Sequence, residues 1–221
     1  MNSVQNRLQS FYKEKFPSRV NTRIFNIREI TEGWETEIYS FTVEFDEGTE
    51  RKREDQILRI YPGNDALQKA AREFNVMKKL HELGFTVPLV SVLQSDNSPF
   101  EKPFIIMEKI DGPLMATVFL QSTNEKRQEL LELFCSKFVE LHTIDWRQFA
   151  GFFGVDPSLS EAEDPYLFIS RRLSDVRRTV DHFQRSEFAP VLEWLEARKR
   201  DVPCRRLSLT HGDYHPNNVI L

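Results

Sequence analysis

The chain is short of cysteine and glycine, and it lacks any long apolar run. Its two cysteines, Cys135 and Cys204, stand far apart, which excludes a disulfide framework and the paired spacing of a zinc site. Eight glycines leave no low-complexity tract. No stretch approaches the ~20 apolar residues of a membrane-spanning helix. Residues 1–16 mix Arg7, Lys13, Glu14 and Lys15 with apolar residues, unlike a secretory signal. An excess of positive charge is missing too. Lys and Arg number 30 against 34 Asp and Glu, a net charge of −4, so the electrostatic footprint of a general nucleic-acid binder is absent. The expectation is a cytoplasmic protein with two reduced thiols and neither a membrane nor a nucleic acid as partner.

What is present is ordinary for a globular chain: 40% hydrophobic residues, weighted to 18 Phe, and 29% charged. Tyr39, Phe41, Val43 and Phe45 alternate with polar residues at the period of a half-buried strand. Residues 46–55 are charged and contain Gly48, which reads as a solvated hairpin loop, with a return strand at 57–61. With a further strand at 24–30 these predict an antiparallel meander turning at Gly33. A helix is expected over 66–83, its face formed by Leu67, Ala70, Phe74, Met77 and Leu80 and its end marked by Gly84. Strands at 87–93 and 104–110 complete a sheet with one helix. Asp111-Gly112-Pro113 breaks the pattern, which places a domain boundary between 1–110 and 111–221. Beyond it the chain turns helical. Ser122 opens a capping box with Glu125, followed by an apolar stripe of Leu130 or Leu131, Phe134, Phe138 and Leu141. Further helices start at Asp164-Pro165 and near Glu187, and 207–210 reads as a short strand.

The densest polar cluster is His211-Gly212-Asp213-Tyr214-His215-Pro216-Asn217-Asn218, with apolar residues on both sides. Gly212 and Pro216 make it a loop. Kinase-type phosphoryl transfer needs an Asp to orient and deprotonate the attacking hydroxyl, and an Asn to hold magnesium on the nucleotide phosphates. Asp213 and Asn218 have that spacing, and the Asn carbonyl is a hard oxygen that Mg²⁺ accepts. The pattern resembles the catalytic loop of the aminoglycoside phosphotransferase and choline kinase-like family. Protein kinases of eukaryotes carry His-Arg-Asp there, so Gly212 points away from them.

The resemblance implies an α+β, protein-kinase-like fold of two lobes: a small antiparallel-sheet lobe with one helix and a mainly helical, incomplete second lobe. It implies an ATP- and Mg²⁺-dependent transfer of the γ-phosphate to a hydroxyl of a small molecule, with Asp213 as catalytic base and Asn218 as metal ligand. By the same resemblance Arg59 takes the position of the cation that reaches the phosphates and Glu73 orients it. Gly33, between Thr31 and Thr36, falls in the phosphate loop, and backbone groups near Glu108 and Ile110 would dock adenine. Both His211 and His215 would brace the loop, and His142 is a packing residue.

The sequence departs from the family at its end. The second magnesium ligand, an Asp after a short apolar strand beyond the catalytic loop, is absent from these 221 residues. Asp145-Trp146 looks similar but precedes the loop. Val219-Ile220-Leu221 reads as an apolar strand without a mate, as a C-terminal truncation would leave it. Weak or no turnover is therefore expected of this chain. The alternative reading is a catalytically impaired fragment or pseudokinase that binds nucleotide. A third is a metal-dependent hydrolase using His211, Asp213 and His215.

Overall fold

The computed structural model describes residues 2–30, 36–95, 97–159 and 164–221. Helix α1 (Asn2–Lys15) precedes three long strands, β1 (Val20–Ile30), β2 (Glu37–Glu47) and β3 (Glu50–Ile60). Helix α2 (Ala66–Glu82) and strands β4 (Val90–Gln94) and β5 (Phe104–Glu108) follow. The strands form one sheet in the order β1-β2-β3-β5-β4, and each neighbouring pair is antiparallel.

Both faces of the sheet carry a core. Leu58, Ile60, Phe104 and Ile106 turn to one face and pack with Leu8, Phe11 and Tyr12 of α1. Ile57, Tyr61, Ile105 and Met107 turn to the other, among Ala66, Ala70, Phe74 and Met77 of α2. Successive strand residues point opposite ways, so a strand covered on both sides is apolar throughout, and β5 reads Phe-Ile-Ile-Met before Glu108. The sequence reading placed α2 alone with this sheet; α1 is a second helix. Its signal was present, since Val4, Leu8, Phe11 and Tyr12 recur at helical spacing and line the face that packs on the sheet. Tyr12 also donates from its hydroxyl to the buried Gln56. On α2, Ala70 and Leu80 are buried as expected, whereas Leu67 is exposed.

The charged segment 46–55 is not a loop. The turn is confined to Gly48-Thr49, where Gly48 takes a φ of +64° that favours a residue without a Cβ, and β3 begins at Glu50. Opposite charges across the hairpin explain why a charged sequence stays extended. Arg51 pairs with Glu44, and Lys52 Nζ lies 2.5 Å from Glu47. These hydrogen bonds hold both carboxyls below the usual carboxylate range.

After β5 come α3 (Met115–Gln121) and α4 (Asn124–Thr143). Helix α3 was not expected from the sequence. The cap of α4 is Thr123, one residue later than predicted: its hydroxyl accepts from Lys126 N–H at 3.4 Å, while Ser122 Oγ donates back to Val118 O at 2.6 Å and closes α3. Leu130 and Leu141 are buried, but Phe138 is exposed. A 3₁₀ segment, Trp146–Phe153, precedes α5 (Leu167–His182) and α6 (Ala189–Arg198). Arg177 on α5 and Glu196 on α6 are 3.1 Å apart. Residues 207–210 form no strand, although Leu209 is buried. The chain divides into two compact units, 1–134 with 213–221, and 135–212. These differ from the lobes 1–110 and 111–221 expected from the break at Asp111-Gly112-Pro113. No helix among the described residues is long and apolar enough to cross a membrane.

Leu8 is fully buried between α1 and the sheet. Leu8→Ala should therefore cost about 2–5 kcal/mol, read as a lower urea midpoint; an unchanged midpoint would show that α1 contributes nothing to the core.

Candidate active site

Arg59 lies on β3, paired with Ile38 of β2 and Ile105 of β5, and it shares a face with Ile57 and Tyr61. That face is apolar and covered by α2, so the guanidinium needs an anion. Glu73 on α2 supplies it: Arg59 Nη1 donates to Glu73 Oε1 at 2.7 Å. Arg59 Nε donates to Thr36 Oγ1 at 3.2 Å. The guanidinium carbon lies 5.7 Å from the centre of the Tyr61 ring. One side chain thus ties the start of β2 to α2, which a lysine with a single nitrogen could not do in the same geometry. Lys69, one turn before Glu73, has its Nζ 3.4 Å from Asp65. Gly33 and Thr31 lie outside the described residues.

At the end of β5, Glu108 is used twice. Its backbone N–H donates to Leu89 O at 2.9 Å, and its Oε1 accepts from Leu89 N–H at 2.7 Å. Lys109 N–H donates to Asp55 O at 2.9 Å. Ile110 is exposed, and among the described residues no hydrogen bond takes its N–H. Of the two amides, the Glu108 N–H is taken by Leu89 and the Ile110 N–H takes no bond among the described residues, while the Glu108 amide and carboxylate hold β5 to the chain entering β4.

The polar loop is held by its neighbours in sequence and by the segment after β5. Gly212 takes a φ of +83°. Tyr214 stacks on Phe134, ring centres 4.3 Å apart, and its hydroxyl donates to Phe134 O at 2.8 Å. His215 caps the 3₁₀ turn Pro216–Asn218: its Nδ1 accepts from Asn217 N–H at 3.2 Å. Asn218 Nδ2 donates to Asp213 O at 2.9 Å and to Asp213 Oδ2 at 3.0 Å. These contacts turn the amide nitrogen of Asn218, rather than its carbonyl oxygen, toward the carboxylate. His215 Nε2 lies 3.5 Å from Asp213 Oδ2 and 3.2 Å from Asn218 Nδ2.

The segment expected to lack a mate has one. Ile220 bridges Leu114, Met115 N–H donates to Val219 O at 2.8 Å, and Leu221 N–H donates to Pro113 O at 3.0 Å. Gly112 makes this approach possible, because a Cβ there would lie 2.1 Å from Leu221 O. Asp145 serves as a cap, accepting from Arg147 N–H at 3.2 Å. His142 Nδ1 is 2.8 Å from Phe138 O, and the His142 ring leans on Phe138. Among the described residues no three His, Cys, Asp or Glu side chains group as a metal site would, which leaves the hydrolase reading of His211, Asp213 and His215 without support.

A sequence profile of the phosphotransferase enzyme family matches residues 26–221. The chain belongs to that family. Its fold is the kinase-like fold of aminoglycoside phosphotransferases. A Ralstonia eutropha JMP134 protein assigned as an aminoglycoside phosphotransferase superposes with a TM-score of 0.61 at 16% identity, over 98% of this chain and 60% of that one. Aminoglycoside 2'-phosphotransferase-IIIa, solved as its GDP complex, gives 0.57 at 15% identity, over 98% of this chain and 67% of that one. A curated relative, acyl-CoA dehydrogenase family member 11 of Gallus gallus, is 24% identical over 170 residues, 74% of this chain and 21% of that protein. The chain therefore spans about three-fifths to two-thirds of the solved family members and about a fifth of the curated relative.

Sequence reasoning named Arg59, Glu73, Asp213 and Asn218 but missed Tyr61 and the anchoring of the loop by Gly112 and Tyr214. Tyr61 could have been found two residues after Arg59, on the same strand face. Gly112→Ala should destabilise the protein by about 1–3 kcal/mol in urea unfolding, because the 113–115 and 219–221 segments must separate; an unchanged midpoint would contradict the close approach.

Proposed function

We propose that the chain binds a nucleoside triphosphate with Mg²⁺ and transfers the terminal phosphoryl group to a hydroxyl of a small molecule. The observation that carries this reading is the Asp213–Asn218 arrangement. The amide nitrogen of Asn218 meets the carboxylate at 3.0 Å, so the amide oxygen is on the other side of the amide group from it. The Asp213 side chain is 76% exposed, so an acceptor can reach it.

The residues divide the work by chemistry. Asp213 accepts the hydroxyl proton as the acceptor oxygen forms its bond to the terminal phosphorus and the bond from that phosphorus to the bridging oxygen breaks, releasing nucleoside diphosphate; Asn218 and His215 keep that carboxylate in one orientation. Asn218 Oδ1 suits a hard cation, and the ion when bound supplies neutralisation of phosphate charge. Arg59, braced by Glu73, offers its remaining N–H groups to phosphate oxygens. The Ile110 N–H is free to bond the base of the nucleotide. The family contains a GDP complex, so both ATP and GTP belong in the test. The acceptor is a hydroxyl-bearing small molecule, and the net charge of −4 favours encounter with a cationic one.

The test is calorimetric titration of the chain with ATP and with GTP, each with and without Mg²⁺, followed by a phosphate-transfer assay across hydroxyl-bearing acceptors. Nucleotide binding strengthened by Mg²⁺ is expected. Asp213→Asn should leave that binding within about twofold and lower any transfer about 10²–10⁴-fold. Unchanged transfer would remove Asp213 from the role of base.

A further inference from the structure

The buried group that this chemistry leaves unused is the hydroxyl of Tyr61. Tyr61 is 2% exposed and sits among Ala66, Ala70, Val90, Ile105 and Met107, under α2. Its hydroxyl oxygen is fully buried and makes no hydrogen bond among the described residues. A buried unpaired hydroxyl is a standing cost to stability, and phenylalanine would fill the same apolar space without it. The residue sits next to the one ion pair on this face. Arg59 lies over its ring at 5.7 Å, and Glu73 follows one turn after Ala70 on the helix that covers it. Burial, the negative charge of Glu73 and the closeness of its carboxylate to the hydroxyl push the phenol well above its ordinary value, so it stays an O–H donor directed at Glu73.

The arrangement contains a conflict that a donor would resolve. Arg59 holds Glu73 at 2.7 Å and Thr36 at 3.2 Å. Any phosphate that draws the guanidinium toward itself takes a partner from a half-buried carboxylate. We propose that Tyr61 is a positioning residue whose hydroxyl donates to Glu73 when Arg59 engages phosphate, keeping the carboxylate and α2 in place. The inference rests on the nucleotide reading above and adds a residue to it. In the structure as it stands the hydroxyl is beside Glu73 without meeting full hydrogen-bond geometry, and the bond tightens when the site is loaded.

The experiment compares wild type with Tyr61→Phe and Arg59→Ala, reading Mg·ATP affinity by calorimetry and melting temperature without nucleotide. Tyr61→Phe is expected to melt at or above the wild-type temperature, because it removes an unpaired hydroxyl, yet to bind Mg·ATP about tenfold more weakly, the worth of one hydrogen bond to a charged group. The loss should shrink to within about twofold when measured in a Glu73→Gln background, since the two side chains act together. A lower melting temperature with unchanged affinity would make the hydroxyl structural and overturn the proposal. Weakened binding by Arg59→Ala with unchanged binding by Tyr61→Phe would overturn it and leave the nucleotide reading intact. Failure of the wild type to bind Mg·ATP would overturn both.

Discussion

The sheet is covered on both faces, and that constraint organises what surrounds it. Because side chains alternate along a strand, β3 sends Leu58 and Ile60 to α1 and sends Ile57, Arg59 and Tyr61 to α2. An arginine on the second face stands beside apolar side chains, where an unmatched charge is costly. Glu73 offsets that cost only because α2 lies across β3 in a register that brings its third turn over Arg59. The ion pair is therefore a consequence of two-sided packing, and its half-buried position makes each partner dependent on the other.

The polar loop depends on a different device. Nothing in the loop is buried deeply enough to be held by packing alone. It is held by backbone bonds to residues 113–115, by Tyr214 against Phe134, and by a hydrogen-bond count that leaves Asn218 a single orientation. His215 contributes as a cap before it contributes as a neighbour of Asp213. The two short segments that meet at Gly112 and Leu221 permit this only because glycine has no Cβ.

Much of the sheet was legible. The alternation of Phe41, Val43 and Phe45 marked β2, and Gly84 marked the end of α2 with a φ of +80°. The errors came from places where a local rule met a tertiary partner. Charges over 46–55 read as solvent-facing loop, because pairing of Arg51 with Glu44 across a hairpin is invisible without the register. The cap of α4 was placed at Ser122 because Ser and Thr are chemically equivalent there; the end of α3 claimed Ser122 and left Thr123 to begin the next helix. Helix α1 carried a readable apolar stripe that the mixed charges of residues 1–16 obscured.

The sequence by itself determined the family, because His211, Gly212, Asp213 and Asn218 stand at fixed chain spacings that no fold can alter. It also carried the period of each strand and helix. Only the tertiary structure decided which anion Arg59 meets, that Ile220 pairs with Leu114, and that the Tyr61 hydroxyl is buried without a partner. Those are relations between residues far apart in the chain, set by how α1, α2 and the loop close over a sheet. Local patterning does not encode such distances, since the same alternation would be satisfied by several packings of the same elements.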